Sequence, residues 1–405
     1  MASRDRALRE RAARVIPGGM YGHQSVNALP AGYPQFFSRA EGAYLWDADG
    51  ERLLDFMCAY GPQLFGYGNA LIDRAYVGQL AQGDAMTGPS GLMVDLAEAM
   101  TAMVSHADWA MFCKNGTDAN TMALMIARAQ TGRNGVVRAR GAYHGAAQWS
   151  NPRKKGITPA DQADQHLCDY NDVASLEAAV AAAGDDLAAI FAAPFRHDVF
   201  VDQAAPTQAY ARRARELADE KGALLVVDDV RAGFRIARNC SWAVVGVEPD
   251  LSCWGKCIAN GHPISALLGS DSGRRGAESI FATGSYWFAA AAMAASLVTL
   301  ELIRTTDYLE RIEALGARLR AGLDEVSRAH GFALRQSGPP QMPLFLFDDD
   351  KELKLGNAWS AQMISRGVYV HPWHNMFLSA AMTEQDIDFA IDAADASFRT
   401  LASSR

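Results

Sequence analysis

The chain has 405 residues, 49% of them apolar, and a formal net charge of −8; that length suits two domains, or one large domain with a smaller attachment. The acidic balance argues against a nucleic-acid partner, because the densest basic run is only Arg153-Lys154-Lys155. The charged N-terminus lacks the apolar core of a signal peptide, and the longest apolar run, residues 286–300, is too short to span a membrane.

Residues 4–14 have the pattern of a short amphipathic helix, stopped by Pro17-Gly18-Gly19. Residues 43–56 alternate apolar and polar around Asp49-Gly50, a hairpin signal. From about 90 to 300 helical and strand patterns alternate. Helices are expected at 90–104, 117–132 and 207–222, strands at 109–113, 135–139, 187–194 and 223–229, and a buried helix over the alanine-rich run 286–300. Such alternation predicts an α/β fold with a parallel sheet covered by helices. After about 303 the texture changes: a long amphipathic helix (308–331), short strands near 343–347 and 368–372, and a last helix opened by Thr383 with Asp386 in capping-box spacing. Six cysteines lie scattered with no CxxC pair, which predicts reduced thiols, a cytoplasmic setting and no metal centre.

Three strand ends carry residues that could do chemistry, and ligands of open α/β sheets sit beyond such ends. In CKNGTDAN (113–120), Asn115, Gly116 and Thr117 open a helix whose free N–H groups suit a phosphate; a plain N-cap explains Asn115 and Thr117 equally well. In LLVVDDVRAGFR (224–235), neighbouring strand residues point to opposite faces, so Asp228 and Asp229 have different roles. One carboxylate there suits a protonated ring nitrogen, or the pair bonds Arg231, Arg235 or loop amides. In PDLSCWGKCIANGHPISALLG (249–269), Lys256 stands alone in an apolar stretch. Burial makes an amine nucleophilic towards carbonyls; a snorkelling side chain is the alternative.

Together and in this order, a phosphate cradle, an acid for a pyridinium and a Schiff-base lysine are the parts pyridoxal 5'-phosphate (PLP) requires. At these residues, and at IPGG (16–19), AYLWDADGERLLDF (43–56) and RGAYHG (140–145), the sequence resembles the class III aminotransferases of the fold-type-I PLP enzymes. Its nearest likeness there is to the glutamate-1-semialdehyde aminomutase branch. The resemblance implies a mostly parallel central sheet covered by helices, with a smaller α/β domain built from both chain ends. The boundaries expected are 1–57 for the N-terminal segment, 58–303 for the large PLP-binding domain and 304–405 for the C-terminal small domain. It also implies roles. Lys256 carries the cofactor and shuttles a proton. Asp228 pairs with the ring nitrogen. Val230 and Tyr143 pack on the two ring faces. Gly116, Thr117 and the Asn115 backbone hold the phosphate. Ser285, or Thr283, reaches the phosphate of a neighbouring subunit, which implies a homodimer acting on a small-molecule amino donor and carbonyl acceptor.

Several positions depart from the branch's pattern, among them Lys114, Asp118, Ala193, Asp229 and Tyr60, and one stretch bears on the substrate. Where that branch places a serine and an arginine for the substrate carboxylate, MYGHQS (20–25) has Gly22 and Ser25 and no arginine. Without a guanidinium fork there is no bidentate clamp, so glutamate semialdehyde is not the expected substrate. Tyr21, His23, Tyr60 and His197 are expected to shape a more aromatic, hydrogen-bonding pocket. The leading function is ping-pong transamination. An aminomutase or racemase, and a non-catalytic PLP-fold binding protein, are the alternatives.

Overall fold

The computed structural model describes residues 3–25, 29–196 and 200–403. The chain divides into two units, Met1–Asn69 with Glu310–Arg405, and Ala70–Leu309. In the first unit, α1 (Arg4–Val15) is capped by Ser3, whose hydroxyl accepts the Arg6 N–H at 3.3 Å. Strands β1 (Phe37–Glu41), β2 (Tyr44–Asp47) and β3 (Arg52–Asp55) form an antiparallel meander. The β2–β3 hairpin turns at Asp49-Gly50, where Gly50 has φ +94°. Residues 58–69, expected in the large domain, stay with this unit. Tyr67 and Gly42 exchange backbone hydrogen bonds at 2.8 Å, and the Tyr67 hydroxyl donates to Asp55 at 2.7 Å.

The second unit opens with α2 (Ala70–Leu80) and α3 (Leu92–Met103). Its strands are β4 (Trp109–Cys113), β5 (Gly135–Ala139), β6 (Gln165–Cys168), β7 (Leu187–Ala192), β8 (Leu224–Asp228), β9 (Leu251–Trp254) and β10 (Ser265–Gly269). Among the described residues these seven form one sheet, in the order β4-β10-β9-β8-β7-β5-β6. Pairs from β9 to β6 are parallel, whereas β10 runs antiparallel to both of its neighbours. Two reversals restore direction, so β4 points the same way as β5, β8 and β9. Their carboxyl ends therefore share one edge of the sheet.

Between β4 and β5 lies α4 (Gly116–Thr131). Its face of Ala119, Met122, Ala123, Ile126 and Ala127 packs on Phe191, Val226, Leu251 and Leu267 of the sheet. Burying each larger aliphatic side chain contributes about 1.5–3 kcal/mol, which fixes the helix start against the strand ends. The apolar run 286–300 becomes a helix only from Ala290. Its first N–H groups are taken by Asp84, through the carbonyl at 3.1 Å and Oδ1 at 2.8 Å, a distant cap that no local pattern announces.

The chain then returns to the first unit. There β11 (Leu334–Ser337) pairs with β12 (Leu344–Phe347), and β13 (Val368–Tyr369) extends the N-terminal meander in parallel beside β3. The final helix, Glu384–Ala402, begins at the expected Thr383–Asp386 capping box. Among the described residues no helix is long and apolar enough to cross a membrane. All six cysteines are buried, and among the described residues none is joined in a disulfide.

Candidate active site

Four of the strand ends that share an edge, those of β4, β5, β8 and β9, meet around a cavity of about 260 Å³. Its walls include Asn115, Gly116, Thr117, Tyr143, Asp228, Val230 and Lys256, together with Asn120, Gly145 and Arg231.

The β4 end supplies a helix N-terminus. The Asn115 side chain accepts the Asp118 N–H at 3.1 Å, and Asp118 Oδ2 takes the Asn115 and Lys114 N–H groups at 3.3 and 3.2 Å. Asn115 is therefore a cap, as one reading of this stretch had it, and the helix start also faces the cavity. Gly116 and Thr117, the first helical positions, carry N–H groups with no carbonyl four residues back. The wall is tight there. A Cβ on Gly116 would come within 2.8 Å of Val230, and one on Gly145 within 2.6 Å of Thr117 Oγ1. Gly145 also has φ +102°, a region side chains avoid. We expect Gly145→Ala to weaken PLP binding by about ten-fold or more, read as the PLP concentration needed to restore visible absorbance to the cofactor-free protein.

The β8 end supplies the acid. Asp228 is 7% exposed. Its Oδ2 meets His144 Nδ1 at 2.8 Å and accepts from Asn120 Nδ2 at 3.0 Å, while Oδ1 faces the Val230 N–H at 3.2 Å. Asp229 turns the other way and accepts the Ser241 N–H at 2.7 Å; burial pushes its carboxyl up to about 6. Arg231 stands beside Asp228 in the wall, and burial pulls its guanidinium down to about 10, against the attraction of Asp228 and Tyr143.

The β9 end supplies the amine. Gly255 and Lys256 follow Trp254 directly, and Lys256 sits in a short turn with φ +47°, an uncommon conformation for a side-chain-bearing residue. Among the described residues its Nζ makes no hydrogen bond or ion pair. Burial lowers its pKa from 10.5 to about 7; Arg231 and Arg235 push the same way, and Cys257 and Asp228 oppose them. In the cofactor-free protein, modification of Lys256 by an amine-acylating reagent should therefore rise with pH around a midpoint near 7. A midpoint near 10, as for an ordinary lysine, would contradict this environment.

His144, Asn120 and Gly145 were given no site role from the sequence, and Arg231 only that of a partner for the aspartate pair. The signal for Asn120 was present: it stands one turn after Gly116 on the apolar face of α4, and its Nδ2 also donates to the Gly116 carbonyl at 2.9 Å. Thr283 and Ser285 are exposed and do not line the cavity. In the first unit, Tyr21 is exposed and Tyr60 half-buried. Gln24 Nε2 donates to the Tyr60 hydroxyl at 3.0 Å, and the Tyr60 ring sits edge-on to His374 at 5.2 Å. The side chain of His23, and all of His197, lie outside the described residues.

These residues fit PLP. The cradle at Gly116 and Gly145 leaves space that a single Cβ would fill, free N–H groups suit a phosphate, a weakly basic amine suits an aldehyde, and a braced carboxylate suits a ring nitrogen.

Comparison with known proteins agrees. Residues 28–388 match the family model described as aminotransferase class-III. The chain is 57% identical over 396 residues to an aminopentol aminotransferase of Sphingopyxis macrogoltabida, covering 98% of this chain and 94% of that one. The structure of the FumI protein of Sphingopyxis sp. MTA144, in its PLP internal aldimine form, superposes with a TM-score of 0.98 at 56% identity, covering 99% of this chain and 97% of that one. A glutamate-1-semialdehyde aminomutase of Pseudomonas aeruginosa PAO1 shares the fold, with a TM-score of 0.87 at 22% identity over 98% of this chain and 94% of that one. The family match, the aminotransferase relative and the cavity's chemistry agree on one conclusion: the chain belongs to the class III aminotransferases and is a PLP-dependent enzyme of that family.

Proposed function

We propose that the enzyme takes the amino group of an amine carried on a hydroxylated chain and passes it to a small carbonyl acceptor, with Lys256 and Asp228 as its catalytic residues. The observation that carries the catalytic assignment is the convergence of Lys256, Asp228 and the Gly116–Thr117 helix start on one cavity. When bound, PLP supplies an aldehyde for amine exchange and an electron-withdrawing ring. The chain supplies the rest. The N–H groups of Gly116 and Thr117, with the Asn115 backbone, bind the phosphate. Asp228, held by His144 and Asn120, presents its carboxylate to the ring nitrogen. Val230 and Tyr143 bound the ring faces. Lys256 Nζ, weakly basic because it is buried, would remove the proton from the substrate carbon bearing nitrogen and carry it to the carbon that receives the amino group.

The substrate class draws support from the aminopentol aminotransferase relative and from the absence of arginine in residues 20–25. A donor without a carboxylate beside its amine needs no guanidinium clamp. Tyr21, His23, Tyr60 and His197 are assigned to its pocket. Two copies are proposed to act together. The segment holding Thr283 and Ser285 also exposes Phe281 (87%) and Tyr286 (68%), large apolar groups that suit burial against a partner. In a homodimer Ser285 or Thr283 would reach the other copy's phosphate. Buried thiols outside any disulfide suit a reducing cytoplasm.

Half-reactions followed by the cofactor's visible absorbance test this reading. Aminopentol should bleach the holoenzyme faster than alanine or 2-aminooctane, and glutamate semialdehyde should be a poor acceptor. Preference for alanine, or efficient use of glutamate semialdehyde, would overturn the substrate assignment.

A further inference from the structure

Helix α4 carries one residue that its packing does not require. Asn120 stands among the buried Ala119, Met122 and Ala123 and is itself 1% exposed. Asparagine is a poor helix former, because its side chain competes for backbone hydrogen bonds. Its amide is also incompletely satisfied. Nδ2 donates to the Gly116 carbonyl at 2.9 Å and to Asp228 Oδ2 at 3.0 Å. Both neighbours are acceptors, so only the nitrogen can face them. Oδ1 is left buried, and among the described residues nothing donates to it. An acceptor stranded in this way costs stability. Asn120 therefore opposes both helix preference and burial, a combination that points to function.

Its two donated bonds join two ends of the site. Gly116 opens α4, Asp228 closes β8, and both line the cavity. The other bonds to the Asp228 carboxylate come from elsewhere. His144 follows β5, and the Val230 N–H belongs to the chain just after β8. Neither joins the carboxylate to the helix that begins at Gly116. Asn120 does, from one turn along that same helix, so its donor moves with the helix start.

We propose that Asn120 is a positioning residue for the cofactor: its amide ties the Asp228 carboxylate to the first turn of α4, so that the phosphate cradle and the acid for the ring nitrogen keep one fixed separation. The inference rests on the assignment of Gly116 to the phosphate and of Asp228 to the ring nitrogen.

The experiment measures the PLP affinity of the cofactor-free protein, read from visible absorbance, and its thermal unfolding. Asn120→Leu removes both donors and the stranded acceptor at similar volume. It should weaken PLP binding about ten-fold, the scale of one hydrogen bond to a charged group. The cofactor-free variant should still unfold at the wild-type temperature or above it. Asn120→Ser is a smaller second variant. A serine within a helix gives its one proton to the carbonyl four residues back, here that of Gly116, so only the bond to Asp228 is lost. PLP binding should weaken about as much as in Asn120→Leu. Asp228→Asn should itself weaken PLP binding, and in that background either change at Asn120 should cost less than about three-fold, because the partner is already altered. Equal losses in both backgrounds would show that Asn120 acts on the helix start alone. Wild-type affinity in both single variants would show that it positions nothing. Unfolding of both cofactor-free variants well below wild type would make it a residue of the fold. Each of these results overturns the proposal and leaves the assignment of Asp228 standing. If Asp228→Asn alone leaves PLP affinity and turnover unchanged, the assignment of Asp228 is wrong and the inference falls with it.

Discussion

Replacing Lys256 by alanine should abolish multiple turnover, lowering kcat by about 10⁴-fold or more, while leaving the fold intact. Both halves of that expectation come from the same local facts. The amine is the one nucleophile at the cavity wall whose pKa is brought to about 7, so near neutral pH a large fraction is unprotonated and able to attack a carbonyl or accept a proton. No other wall residue has that combination: Arg231 keeps its charge, and burial holds the Tyr143 hydroxyl above its ordinary range. Meanwhile the Lys256 side chain makes no hydrogen bond or ion pair among the described residues and borders open space, so its removal leaves no polar partner stranded. Thermal unfolding of the cofactor-free variant should match wild type or lie slightly above it, because an amine that resists burial is gone. Residual multiple turnover within ten-fold of wild type would refute the role.

The second large effect separates two adjacent aspartates. Asp228→Asn should lower kcat/KM by about 10²–10³-fold, the scale of losing one preorganised electrostatic partner. The carboxylate is neutralised, and its bracing suffers too. Oδ2 serves both Asn120 Nδ2 and His144 Nδ1, and an amide nitrogen in that place sets a donor against the Asn120 donor. Asp229→Asn should leave kcat/KM within about three-fold and cost about 1 kcal/mol of stability. Its carboxylate serves the Ser241 N–H on the far side of the strand, and an asparagine oxygen can still accept that bond. Steady-state rates and denaturant unfolding of both variants check the pair together. Equal losses of activity would show that the strand end does not sort the two carboxylates as described.

Residues with a strict local pattern were legible in the sequence. Helix α4 was bounded by an Asn cap and a Gly132 terminus with φ +72°, and the alternation of helix and strand gave the sheet. Period-two geometry alone said that Asp228 and Asp229 part company. What sequence patterning left out was decided by pairings between distant segments. The antiparallel strand β10, set between β4 and β9, carries no mark of direction. The braces on Asp228 come from α4 and from the turn after β5, and no spacing rule joins residues 120, 144 and 228. The left-handed turn at 58–60 was hidden for the opposite reason: Cys58, Ala59 and Tyr60 are residue types that argue against the positive φ they adopt.

The most direct measurement is borohydride reduction of the PLP-loaded enzyme followed by peptide mapping by mass spectrometry. A pyridoxyl group on the ε-nitrogen of Lys256, and on no other lysine, is the predicted result. Attachment at a different lysine, or no attachment, would contradict the account of this site.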